Sequence, residues 1–339
     1  MNITTVGLDL AKSVFHVVCL NEHNKEVRRK MLRRNQVRQF FAQLPPCKVG
    51  MEACATSHYW GRELMALGHD VKLIPPQHVK PMVQGNKNDY NDAFAIAETV
   101  NRPKITFVAV KTVEEHDMQA IHRMRSQCIR DRTALSNSTR GLLGEYGICF
   151  SRGLVTLRKM IPELLEDAEN GLSMRFRNLL ARRYEQLVEL DEHIAFYTKE
   201  LELLSQQDEA CQRLQTIPGF GPIVASAFRN PLGDGSAYPR GRNAAASLGL
   251  VPRQYSSGGK NVLLGISKRG DRYLRKLLVH GARTVVRHAA NRDDPFNQWI
   301  NRVSERRGKN KAAVAVANKL ARVGWAVLRD NTRYDPALV

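Results

Sequence analysis

"TTVGLDLAKSVFHVVCL", residues 4–20, decides how the first hundred residues are read. Two short apolar runs, TTVGLDL and VFHVVCL, flank the polar turn AKS, the pattern of two strands joined closely. KEVRRKML can pair with them across the turn at NEHNK. QVRQFFAQL then fits a helix and CKVGMEA a buried strand. SHYWGRELMALG reads as a helix closed by Gly68 at its C′ position, and HDVKLIPP as a strand stopped by Pro75 and Pro76. The resulting order, β-β-β-α-β-α-β-α, predicts a mixed sheet flanked by helices over residues 1–110.

Acidic residues fall at telling places in this pattern. Asp9 closes the first strand and Glu52 a later one, both where an apolar strand meets a loop. In GNKNDYNDAFAIAE, residues 85–98, Asp89 and Asp92 stand three apart where a helix begins. Two acids on one turn repel unless something compensates. Together the four would form an oxygen-rich pocket suited to Mg²⁺, a hard cation that favours carboxylates, water and phosphate. Two such ions about 4 Å apart can activate an attacking oxygen and stabilise a leaving one. Each acid also has a plainer reading: Asp89 as helix N-cap, Asp92 favoured by the helix dipole, Asp9 as a turn residue and Glu52 as a surface acid.

Charge narrows the partner. Lys and Arg number 52 against 33 Asp and Glu, a net +19, which points to a polyanion such as nucleic acid. Six scattered cysteines, with no CxxC and no Cys/His cluster, argue against zinc and for thiols kept reduced in a cytoplasm. The N-terminus does not read as a signal peptide, and no run approaches the ~18 apolar residues that span a bilayer. The expectation is a cytoplasmic, nucleoid-associated protein with no membrane partner.

Residues 111–210 read as mostly helical. Leu187, Leu190, Ile194, Tyr197, Leu201 and Leu204 recur at coiled-coil spacing, fitting either a dimer interface or an internal helical hairpin. YGICFSRGL and IPELLEDAENG read as breaks between helices. Residues 211–339 form a third region, expected to be mostly helical. In it TIPGFGPIVASAF resembles the hairpin of a helix-hairpin-helix motif, with Gly219 and Gly221 allowing a tight turn whose amides could hold a phosphate. Between Arg240 and Ala290 eleven Lys or Arg face one acid, Asp271. Arg253, Lys260, Lys268, Arg269, Arg272, Arg275 and Lys276 are assigned to nucleic acid on charge. YSSGGK reads as a Ser/Gly loop within this stretch.

The segments VGLDLAKSVFHVV, VGMEACATSHYWGREL and NKNDYNDAFAIAE resemble the DEDD domain of the insertion sequence 110 family of transposases, a group that the pilin-gene inverting recombinases also resemble. AAASLGLVPRQYSSGGKNVLLGISKRGDRYLRKLL resembles the same family's Transposase-20 domain. The resemblance spans residues 3 to 330. It implies an RNase H-like, RuvC-type α/β fold at the N-terminus, then a helical coiled-coil linker. Asp9, Glu52, Asp89 and Asp92 match the family's Mg²⁺-binding tetrad, and Ser257, next to Ser256, matches its catalytic serine. EACATS departs from the EATGxY common in the family, which leaves the tetrad intact and the adjacent loop uncertain. The resemblance also implies donor and target DNA, a noncoding guide RNA, and a dimer or tetramer in which one subunit's acidic domain meets another's serine. The expected function is therefore strand cleavage and rejoining through a serine nucleophile. The alternative is a metal-dependent nuclease or junction resolvase that uses water. A sugar-kinase-like ATPase would need further Gly-rich phosphate loops, and the sequence offers no convincing second one, while a non-catalytic binder leaves the acids unexplained.

Overall fold

The computed structural model describes residues 2–336 apart from Lys87 and Lys104, so the last three residues of the 211–339 region lie outside it. The N-terminal region contains β1 (Thr5–Asp9), β2 (Val14–Leu20), β3 (Glu26–Arg33), α1 (Val37–Ala42), β4 (Lys48–Glu52), α2 (Ser57–Ala66), β5 (Asp70–Ile74), the single turn α3 (Pro76–Val79) and α4 (Asp89–Thr99). One five-stranded sheet has the order β3-β2-β1-β4-β5. Tight turns make β1–β2 and β2–β3 antiparallel, and the helical crossovers through α1 and α2 make β1–β4 and β4–β5 parallel.

Strand parity then assigns the two faces. Val6, Leu8, Phe15, Val17, Val49 and Met51 pack with Phe41, Trp60 and Leu64 on the α1–α2 side. Val18 and Leu20 meet Ala93 and Ala97 of α4 on the other. The same alternation puts Asp9, His16 and Glu52 on the α4 side. Gly7 and Gly50 let the helix lie directly on the strands. A Cβ at Gly7 would stand 2.0 Å from the Ala93 carbonyl oxygen, and one at Gly50 would stand 3.2 Å from that of Ile96.

The middle of the chain forms α5 (Val113–Gly144), α6 (Leu154–Glu166) and α7 (Met174–Gln207). α5 and α7 run antiparallel: Arg125 donates to Thr198 at 2.7 Å, and Arg132 reaches Asp191 at 2.5 Å further along. Arg158 of α6 also pairs with Asp191, tying the three helices together. The coiled-coil spacing in α7 is therefore used inside the chain, with Leu187, Ile194 and Leu201 buried. One predicted break is corrected. α6 continues through Pro162 to Glu166, because Leu157, Ile161 and Leu164 hold its apolar face in a core with Leu180 and Leu187. Packing outweighs the backbone hydrogen bond that proline removes.

α8 (Glu209–Gln215), α9 (Pro222–Leu232), α10 (Gly241–Ser247), α11 (Arg272–His288), α12 (Pro295–Arg307) and α13 (Lys309–Arg329) share a single core. A hairpin of β6 (Pro252–Ser257) and β7 (Lys260–Ile266) lies between α10 and α11 in sequence. YSSGGK is thus not a loop. Its serines end β6, and Gly258 and Gly259 form the two-residue turn with φ of 54° and 77°, the backbone that such hairpin turns require. Where the core meets α5, buried His122 bridges Tyr273 Oη of α11 at 3.0 Å and Ser226 Oγ of α9 at 3.1 Å.

Candidate functional site

The sheet delivers two of the four acids by register. Leu8 of β1 stands opposite Met51 of β4, so Asp9 and Glu52 are the next positions on adjoining strands. α4 delivers the other two. Its N-cap is Asn88, whose side chain accepts from the Tyr90 amide at 2.9 Å. Asp89 is therefore not needed as the cap, and its carboxylate joins Asp92 in the first turn, where the helix dipole favours negative charge.

Asp9, Asp89 and Asp92 each bring a carboxylate oxygen within 4.8 Å of the others. Glu52 stands just outside this group, near enough to Asp92 that burial first and Asp92 second raise its carboxyl above the usual range. Asp9 is pushed up to about 6 by burial, then by the charges of Asp92 and Asp89. Such crowding of anions fits a site built to hold positive charge. The fit can be tested on geometry: two oxygens on one Mg²⁺ at about 2.1 Å each are at most about 4.2 Å apart. Only one of the three pairs can be trans and the others stand about 3.0 Å apart, so the aspartates need close by at most about 2 Å to share one ion.

The sequence reading missed His16. It stands opposite Asp9 in the β1–β2 register, its Nδ1 is 3.5 Å from Asp89 Oδ2, and its ring meets Tyr90 edge-on. The hairpin pattern carried the signal, since cross-strand partners share a face.

Ser257 is the last residue of β6, opposite Lys260 of β7. Directly opposed side chains lie on the same face, so Lys260 stands beside the serine. Ser256 points to the other face, where its Oγ accepts from Gln254 at 2.7 Å. Residues 252–265 are all exposed. The hairpin also exposes Tyr255, Val262, Leu263 and Leu264, more apolar surface than such a small element usually shows water.

The other assigned residues divide. Arg253, Lys260, Lys268, Arg269, Arg272 and Lys276 are exposed. Arg275 turns inward, its Nη1 donating to the carbonyl oxygens of Leu248 at 3.0 Å and Arg269 at 2.9 Å, so it braces a loop. Gly219 adopts φ +85°, and a Cβ there would lie 2.9 Å from the Gly281 carbonyl oxygen of α11. That glycine serves close packing of the turn on α11. Gly221 caps α9 beside open space, and its carbonyl accepts from the amides of Val224 and Ala225.

A family model described as Transposase IS116/IS110/IS902 family matches residues 211–297, and a DEDD transposase model matches residues 6–148. A probable family 20 transposase of Pseudomonas aeruginosa is 47% identical over 99% of this chain and 100% of its own length. The transposase for insertion sequence element IS1111A of Coxiella burnetii is 43% identical over 98% of this chain and 92% of its own. A pilin gene-inverting protein of Moraxella bovis is 32% identical over 36% of this chain and 38% of its own.

Proposed function

Because the chain belongs to the IS116/IS110/IS902 family of transposases, DNA strand-transfer enzymes of insertion sequences, we propose that it cuts and rejoins DNA through Ser257 beside a cation-holding acidic site. The observation that carries this reading is the convergence of Asp9, Asp89 and Asp92 within 4.8 Å, with Glu52 next to them. The strand order and the helix laid across it support an RNase H-like, RuvC-type domain in residues 1–110. Residues 111–210 would then be the linker, and 211–339 the serine domain.

Ser257 Oγ forms a bond to the phosphorus of a DNA phosphodiester as the bond from phosphorus to one deoxyribose oxygen breaks. The Oγ proton is lost, the deoxyribose oxygen takes up a proton and leaves as a hydroxyl, and the serine ester conserves the bond for rejoining. Lys260 faces the charge that builds on the phosphate. Asp9, Glu52, Asp89 and Asp92 would hold a divalent ion, Mg²⁺ by ligand chemistry, which when bound supplies positive charge to the phosphate oxygens. The exposed cations Arg253, Lys268, Arg269, Arg272 and Lys276 grip the backbone. The exposed apolar hairpin supports a site shared between subunits of a homo-oligomer, with Ser257 of one copy meeting the acids of another. A noncoding guide RNA that pairs with donor and target DNA completes the proposal.

The test is a trap for the serine ester. The protein is expressed with the flanking DNA of its gene, denatured, trimmed with nuclease and searched by mass spectrometry for a nucleotide on Ser257. The adduct should appear in the wild type, vanish in Ser257→Ala with nucleic-acid binding kept, and fall steeply in Asp9→Asn. Cut DNA without an adduct would instead make water the nucleophile, and normal activity in Asp9→Asn would sink the metal assignment.

A further inference from the structure

A sizeable cavity lies apart from the acidic site and from Ser257. It is an open groove of about 1500 Å³ between α13, the start of α10 and the foot of the β6–β7 hairpin. Six cations line it, and no Asp or Glu does: Arg240, Arg242, Arg307, Lys311, Lys319 and Arg322. None of the six forms an ion pair among the described residues. That is unusual on a surface where charges normally mix in sign. The arrangement is built in. Lys311 and Arg322 share one face of α13, eleven residues being close to three turns. Gly241 brings the start of α10 against α13, a Cβ there standing 3.3 Å from the Arg322 carbonyl oxygen.

The floor between the cations is apolar and aromatic. Leu263, Ile266, Val314 and Val323 line it, with Trp299 at one side. The Lys319 ammonium sits over the Trp299 ring, 4.9 Å from its centroid. Burial, and then the nearby charge of Arg322, hold Lys319 below the usual lysine range, so an anion in the groove would relieve that repulsion.

We infer that this groove takes a single unpaired DNA strand and leads it to the foot of the hairpin that carries Ser257. A duplex shows a protein mainly its phosphates, which cations alone can meet. A strand with its bases exposed needs an apolar and aromatic surface between the cations, and this groove provides both. DNA rather than RNA is chosen because the groove reaches the base of the hairpin that bears Ser257, so the choice of strand rests on the function proposed above.

The test uses the full chain and three labelled probes of equal length: oligodeoxythymidine, the corresponding dA·dT duplex, and oligouridine. The variant combines Lys311→Glu with Arg322→Glu, both exposed positions. Its affinity for oligodeoxythymidine should fall about tenfold or more, and its log–log salt slope should flatten by about 1.4, two phosphate contacts at about 0.7 each. Duplex affinity should fall clearly less, because a paired strand cannot place its bases on the apolar floor that holds the single strand among these cations. Unchanged single-strand affinity would overturn the inference. So would an equal loss on duplex, a loss confined to oligouridine, or a changed oligomeric state with DNA binding intact. If the thermal unfolding transition is lost, the pair Lys311→Gln and Arg322→Gln is read by the same criteria. The probes carry no insertion-sequence end, so this result stands apart from the serine-adduct trap, and either can fail without the other.

Discussion

At Ser257 one backbone step separates two different environments. Alternation along β6 sends Ser256 to the face of Gln254, which donates to it, and Ser257 to the face of Lys260. Lys260 is the cation placed by register beside the proposed nucleophile, so it should act on the reaction more than on binding. Lys260→Ala is expected to slow strand cleavage about hundredfold to thousandfold, the range for losing one group that stabilises developing charge. Affinity for DNA should change little, because other exposed cations keep the backbone contacts. Single-turnover cleavage at saturating DNA measures the first quantity and a binding titration the second. A loss in binding alone would make Lys260 a simple phosphate contact.

At the scale of elements, the acidic site depends on how closely α4 lies on β1. Gly7 is the contact: any side chain there meets the helix backbone at Ala93. Gly7→Val should cost about 1–3 kcal/mol by overpacking. It should also separate Asp9 from Asp89 and Asp92, so that activity is lost even under conditions where the variant remains folded. Urea unfolding, together with cleavage measured well below the midpoint, tests both parts. Full activity in a destabilised protein would show that the carboxylates tolerate the displacement. The hairpin of α5 and α7 gives a contrasting case, in which the seam in α7 was visible in sequence and its partner was not.

For the whole molecule, the proposed sharing of sites makes a clean prediction. Under that proposal, Ser257→Ala and Asp9→Asn subunits should each be inactive alone. Mixed in one oligomer, they should recover activity if each site draws its serine and its acids from different copies, since one site then receives both intact parts. No recovery would place serine and acids in the same copy. A second prediction concerns the joint where α5 meets the C-terminal core. Buried His122 is held down to about 4, by burial first and Arg125 second, against 6.5 when exposed. The folded state therefore binds fewer protons than the unfolded chain between those values. Stability is complete above about pH 6.5 and falls as pH drops towards about 4, by on the order of 3 kcal/mol from this group. His122→Gln should be less stable at neutral pH yet lose less on acidification, read from urea unfolding across that range. An unchanged pH slope would assign the acid sensitivity to other groups, such as His58, also held down to about 4.

Sequence by itself determined what local periodicity controls. Alternating apolar runs specified the strands, turn residues their ends, and the Asp89–Asp92 pair the start of α4, though only the structure showed Asn88 to be its cap. The positions of Asp9, Glu52, Asp89 and Asp92 at strand and helix ends were legible for the same reason. Only tertiary structure decided which distant pieces meet. It placed His16 beside Asp89, turned Arg275 into a brace, carried α6 through Pro162 and gave the α7 seam to α5. It also joined Arg240 and Arg242 to cations some seventy residues further along the chain in one groove. Periodicity reports which face of an element is apolar. What that face packs against is set by long-range fit between surfaces, and the residues on either side of such a contact leave no shared pattern in the chain.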